Sequence, residues 1–154
     1  MRRKKHIGDI IEIPTAKGFI YAQCTHTHQN FGEVLRIFKD FYKERPSDFT
    51  NMASEKEKFI VLFPLNEAVK QKIFEVVGRA EIPESSKKFP IFRNGLPNQK
   101  TGKIEVWWLW DGEKEWKIGK IKKEQRKLPL HEVINDTLLI ERLESGWTPE
   151  TDDS

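Results

Sequence analysis

The chain holds one cysteine, Cys24, in 154 residues. An internal disulfide is therefore excluded, which fits a reducing cytoplasm. Apolar runs are short, and nothing approaches the ~20 apolar residues of a membrane-spanning helix. The basic first residues lead into no apolar stretch, so no secretory signal is expected. Walker, Rossmann and nucleophile-elbow spacings are missing: Gly102-Lys103 lacks the preceding glycines of a phosphate loop, and Ser85-Ser86 have no base beside them. His6 and His131 stand alone. Net positive charge is also scarcer than it looks. The 27 basic residues outnumber the 24 acidic ones by three, but Arg2, Arg3, Lys4 and Lys5 open the chain and leave the rest near neutrality. A nucleic-acid binder carries its excess on the folded body, so this balance disfavours that class.

What is present is core material and strand patterning. Ten Phe and five Trp, with many Val, Ile and Leu, argue against disorder despite 33% charged residues. The length fits one domain. Residues 1–6 read as a flexible basic tail, 7–147 as one β-rich domain and 148–154 as a disordered acidic tail. In GDIIEIPT (8–15) Ile11 and Ile13 share a face opposite Ile10 and Glu12, and after a turn FIYAQCTHTH (19–28) returns as the second strand of a hairpin. FGEVLRIFKDFY (31–42) and IFEVVGRAEIP (73–83) read as strands, and FIVLFP (59–64) as a central strand buried on both faces. LNEAVKQK (65–72) is a short helix with Leu65, Ala68 and Val69 inward. Residues 45–58 form a polar connector with a helical turn after Ser47. Residues 83–103 read as a long loop anchored by Phe89, Ile91 and Phe92, and IEVWWLWDGEKEWKIGKI (104–121) as a hairpin around Asp111-Gly112. NDTLLIERLESG (135–146) is a helix capped by Asn135 or Asp136 and closed by Gly146. Antiparallel hairpins with short helices predict a mainly β fold of α+β type, a small barrel or strongly curved antiparallel sheet with one C-terminal helix.

Three constellations carry possible chemistry. Cys24, His26 and His28 alternate, so on a regular strand they share one face, and thiolate with imidazoles is a zinc-type ligand set. Asp9 or Glu12 on the neighbouring strand would orient a ligand imidazole. Against this, a lone His-x-His is weak and equally marks an ordinary strand end, so no metal and no cofactor is the favoured expectation, with zinc as the alternative. In EVWWLWDGEKEW, Trp107 and Leu109 oppose Val106, Trp108 and Trp110. Either a helix covers the second face, or Trp107 is exposed to a partner. Lys114, Lys117, Lys120, Lys122, Lys123, Arg126 and Lys127 outnumber Glu115 and Glu124, and with the tryptophans they offer a nucleic-acid surface or merely a solvated one.

The opening GDIIEIPTAKGFIYAQ resembles the first hairpin of immunity protein family 26 of bacterial polymorphic toxin systems. FIVLFPLNEAV, FPIFRNG, TGKIEVWWLWDG and NDTLLIERLESGW resemble later segments of the same group, so the likeness spans residues 6–149. It rests on aromatic, proline and glycine landmarks and on no active-site motif. The resemblance implies a cytoplasmic bacterial protein that binds and neutralises a cognate protein toxin without chemistry of its own. The 93–101 loop and the 107–116 hairpin are the expected interface, with Arg93, Trp107, Asp111 and Trp116 as its contact residues. Members of the group also carry the label phosphotriesterase, which implies an alternative: a metal-dependent hydrolase using Cys24, His26 and His28. A nucleic-acid-binding small barrel is the third reading.

Overall fold

The computed structural model describes residues 5–152 and 154. The first four residues of the expected basic tail lie outside them. Strands make up 37% of the chain and helices 21%. Five strands form an antiparallel sheet: β1 (Asp9–Thr15), β2 (Gly18–His28), β3 (Gly32–Ile37), β4 (Phe59–Phe63) and β5 (Glu75–Arg79), in the order β4-β3-β2-β1-β5. A second antiparallel sheet has the order β6-β7-β8, from β6 (Phe92–Pro97), β7 (Ile104–Trp110) and β8 (Glu115–Gly119). The helices are α1 (Thr50–Ser54), α2 (Leu65–Lys70) and α3 (Asp136–Ser145). The sheets are curved and open, so of the two expected forms it is the curved sheet that occurs. Among the described residues no helix is long and apolar enough to cross a membrane.

Both faces of the large sheet are covered, which is why its strands are apolar on both sides. Ile11, Ile13, Ile20, Ala22, Cys24, Leu35 and Ile37 face α2 and α3, whose Leu65, Ala68, Leu139 and Leu143 complete that core. Ile10, Tyr21 and Phe38 face the opposite way, under Phe49, Met52 and Ala53 around α1. Arg36, buried beside them, hydrogen-bonds Gln23 and the carbonyls of Ala53 and Glu55, which answers the end of α1 with a positive charge. Asn135 accepts the Leu138 amide at the start of α3 and Gly146 closes it at φ +74°, where the left-handed backbone favours glycine.

The third cluster joins the sheets: Val34 and Leu62 meet Phe92 and Trp110, with Phe31, Ile60 and Phe89 around them. Residues 129–134 stitch the same junction. Leu62 bridges Val133 and Arg93 bridges Leu130, both parallel, and the Ile134 and His131 amides donate to the carbonyls of Leu62 and Arg93.

Several expectations need correction. β4 is buried on both faces as its composition demands, yet it is an edge strand, and residues 133–134 cover its free side. The long loop expected over 83–103 contains β6, whose Asn94, Gly95 and Pro97 hide a strand that only pairing with β7 reveals. His6 is 5% exposed and bonded to Asp9, so the tail does not extend through it. The acidic end is packed as far as Asp152: Pro149 is buried and its carbonyl accepts from Arg93, while the Trp147 indole donates to Asp152.

Candidate functional site

The end of β2 decides what the histidines can do. Cys24 pairs with Leu35, but the next pair is His26 with Val34, so Thr25 is an extra residue, a bulge. One inserted residue turns the following side chains to the other face. Cys24 therefore stays in the core under α2 and α3, and His26 and His28 turn toward the small sheet. The expected shared face of Cys24, His26 and His28 does not exist. Cys24 is fully buried, its thiol points to the His26 carbonyl at 3.7 Å, and burial pushes its pKa up to about 12, helped by Glu33 and Asp9.

Both imidazoles are fully engaged. At His26 the Lys87 carbonyl lies 2.8 Å from Nε2 and the Thr25 hydroxyl 2.8 Å from Nδ1. A carbonyl only accepts, so Nε2 carries the proton and Nδ1 takes the hydroxyl hydrogen. At His28, Nε2 is 2.9 Å from the Gly112 carbonyl and Nδ1 accepts the Asn30 amide at 3.1 Å, which fixes the same neutral tautomer. Asp9 and Glu12 orient neither ring. Asp9 holds His6 at 2.9 Å and Arg79 at 3.5 Å, and Glu12 holds Arg45 and Tyr21, each at 2.8 Å. Among the described residues no three His, Cys, Asp or Glu side chains are grouped as a metal site. The ligands of the zinc alternative, Cys24, His26 and His28, do not fit that role: one candidate faces the other core and the other two have both nitrogens occupied.

The two rings are clamps. His26 ties the loop before β6 to β2, and His28 ties the β7–β8 turn to the same strand. Around them stands an aromatic cluster. His28 lies 5.1 Å from both Phe31 and Trp110, and His26 lies 5.3 Å from Phe89, measured between ring centres. His131 stacks flat on Trp110, with centres 4.0 Å apart and planes parallel. Isolated in the sequence, it is brought here by the stitching segment 129–134. Neither of its nitrogens has a hydrogen bond, and burial lowers its pKa, with His28 reinforcing and Glu115 opposing the shift.

The clamped loops enclose a cleft of about 520 Å3, lined by Thr27, His28, Lys88, Phe89, Ile91, Asp111, Gly112, Glu113 and Trp116. Its apolar floor is Phe89 and Ile91, and Lys88, Glu113 and Trp116 are exposed around it. Asp111 accepts the Glu113 and Lys114 amides, which holds the turn and keeps its carboxyl below the ordinary range. Gly112, at φ +99°, passes so close to Phe89 that a Cβ there would stand 2.7 Å from the ring. Set against family models, curated proteins and solved structures, the chain matches none of them.

Of the four expected contact residues, Asp111 and Trp116 line this cleft together. The other two lie inside the protein. Trp107 is 2% exposed and Arg93 1%, with the guanidinium 4.7 Å above the indole, so neither offers a contact surface. The Arg93 guanidinium covers the Trp107 ring and is itself held by the Pro149 carbonyl of the C-terminal segment. The lysines from 114 to 127 are exposed along β8 and the turn after it, whereas Arg126 is half-buried and donates to the carbonyls of Asp152 and Ser154. Sequence reasoning missed Lys88, His131 and Phe31 as partners of the site. Their only signal was an aromatic or basic residue next to a turn.

Proposed function

We propose that the chain is an immunity-type protein that binds a toxin protein through the cleft between the β2 end and the β7–β8 turn, and neutralises it by occupying it. The observation that carries this reading is the use made of His26 and His28. The residues with the most reactive chemistry in the chain are engaged in holding two loops. That arrangement favours a preorganised binding surface, because loops fixed before association lose little entropy on binding. Trp116 at the rim has the size and amphipathic character of an interface anchor, and Lys88, Asp111 and Glu113 in the same lining give the cleft both signs of charge for selecting a partner. The likeness to immunity proteins supplies the class of partner.

Growth rescue tests it. The chain is co-expressed with the toxin encoded beside its own gene, and binding is measured on the purified pair by calorimetry. Trp116→Ala and Lys88→Glu are expected to weaken binding at least tenfold while leaving the unfolding midpoint near that of the wild type. Undiminished rescue and affinity in the double variant would overturn the assignment of the cleft. Absence of any complex would overturn the immunity reading itself.

A further inference from the structure

β8 is the outer strand of the small sheet. The opposite edge, β6, is bridged on its outer side through Arg93 to Leu130, but among the described residues no strand or bridge lies beyond β8. The edge opens with Glu115-Trp116-Lys117, and all three side chains are exposed. Which main-chain groups face outward follows from the turn before it. The Asp111 amide donates to the Lys114 carbonyl, and bonded pairs recur every second residue along an antiparallel ladder, so the next is Leu109 with Trp116. Trp116 therefore directs its amide and carbonyl to β7. Glu115 and Lys117, opposite Trp110 and Trp108, direct theirs away from it.

An open edge invites another strand, and proteins guard it with a short strand, a bulge or a lysine. β8 has all of these. Ile118 is an extra residue between the pairs of Lys117 with Trp108 and Gly119 with Trp107, so the regular edge is short. The lysine, however, has a carboxylate two residues away on the same face. Two copies of this edge laid antiparallel pair only with outward-facing residues opposite one another. On so short an edge the two-fold axis passes by Glu115, Trp116 or Lys117. Centring on Glu115 or Lys117 sets a charge against its own copy, which is destabilising. Centring on Trp116 sets each Glu115 opposite the Lys117 of the other copy.

We propose that a second copy of this chain pairs along β8, antiparallel about Trp116, and joins the two small sheets into one continuous sheet. In that register Glu115 and the second copy's Lys117 exchange main-chain hydrogen bonds, and the symmetric pair does the same. Their side chains bring opposite charges together on one face. On the other face Trp116 meets its own copy in a non-bonded pair, the type that brings side chains closest and suits aromatic rings. Both charges are accessible. Lys117 has no ion pair among the described residues, and Glu115 meets Asn94 at 3.4 Å and His131 at 4.0 Å through Oε2 alone. So short an edge buries little surface, and the dimer is a weak, reversible one. The pairing is independent of the toxin-binding reading, although Trp116 also lines that cleft.

Sedimentation velocity on the full chain, from micromolar to near-millimolar concentration, tests the pairing. The wild type is expected to show a reversible monomer–dimer equilibrium. Glu115→Lys and Lys117→Glu, both at exposed positions, should each weaken it at least tenfold while leaving the unfolding midpoint near that of the wild type. An equimolar mixture of these two variants sets unlike charges opposite again and should dimerise as the wild type does. The double variant E115K/K117E restores the same complementarity within one chain and should also dimerise. Trp116→Ala should weaken the dimer too. A monomer at every concentration overturns the proposal, and so does a dimer that both single reversals leave intact. Failure of both the mixture and the double variant to restore the dimer overturns the register and the proposal with it. No toxin is present in this experiment, so its outcome is distinct from that of the growth rescue.

Discussion

His28→Ala should loosen the β7–β8 turn and cost a measurable part of the stability. The ring makes two hydrogen bonds, to the Gly112 carbonyl at 2.9 Å and from the Asn30 amide at 3.1 Å. At about 0.5–1.5 kcal/mol each, and toward the low end because the site is partly open to water, they contribute about 1–2 kcal/mol together. Ring contacts with Phe31 and Trp110 add about 1 kcal/mol. The expected loss is about 2–3 kcal/mol, or a fall in Tm of about 4–12 °C for a domain of this size. His28→Phe separates the parts, since it keeps the ring contacts and should lose only the hydrogen-bond share. Denaturant unfolding gives the energies, and amide exchange at Asn30 reports the bond directly. Added zinc should leave Tm unchanged in wild type and variants alike. The clamp is refuted if His28→Phe stays within about 0.5 kcal/mol of wild type with Asn30 equally protected. A zinc-dependent rise in Tm that His28→Ala abolishes would refute it from the other side.

Trp107→Ala should cost about 3–5 kcal/mol in a urea titration, because it empties a fully enclosed site under Arg93. Trp116→Ala, at 38% exposure, should cost less than about 1 kcal/mol, and reversal of that order would exchange core for rim. Burial lowers the pKa of His26 and of His131 below the usual 6.5, so the unfolded chain takes up protons first on acidification. Stability from these groups is therefore complete above pH ~6.5 and lost as pH falls below it, visible in urea midpoints at pH ~7.5 and ~5.5. His131→Phe should shallow that slope, and at pH ~7.5 change stability by less than about 1 kcal/mol, since no hydrogen bond to either nitrogen is lost. Gly112→Ala should cost about 2–4 kcal/mol by calorimetry, combining a left-handed φ with the approach to Phe89. A neutral outcome would mean that the turn moves freely.

Elements written in local rules were legible. The β1–β2 hairpin follows from alternation and a short polar turn, and α3 from Asn135 and Gly146 at its two ends. β7 and β8 follow from the tryptophan run and the Asp-Gly turn. What stayed hidden depends on distant pairing. β6 carries too much Asn, Gly and Pro to look like a strand and becomes one against β7. The edge position of β4 follows from the stitching segment 129–134, which has no strand pattern of its own. Of the residues that line the cleft, Asp111 has a local trace in its Asp-Gly turn, and Trp116 follows on the strand that leaves it. Arg93 was misplaced because the Pro149 carbonyl that holds it is 56 positions further along the chain, and Trp107 because the Arg93 guanidinium lies over its ring.

The bulge at Thr25 shows why spacing was a poor guide to chemistry. Regular alternation puts Cys24, His26 and His28 together and suggests a metal. One contact at the insertion comes from outside the motif, the Gly8 amide donating to the Cys24 carbonyl at 2.8 Å, and one from within it, the Thr25 side chain at His26 Nδ1. Once β2 is offset there, the imidazoles meet two loop carbonyls in place of a thiol. A carbonyl binds only the protonated nitrogen and leaves the other to accept, so each ring needs a donor on its far side, and Thr25 and Asn30 provide them. The same threonine thus creates the offset and completes the hydrogen bonding that the offset requires. Two side chains that look like ligands in the sequence become the parts that hold the cleft open in a single shape.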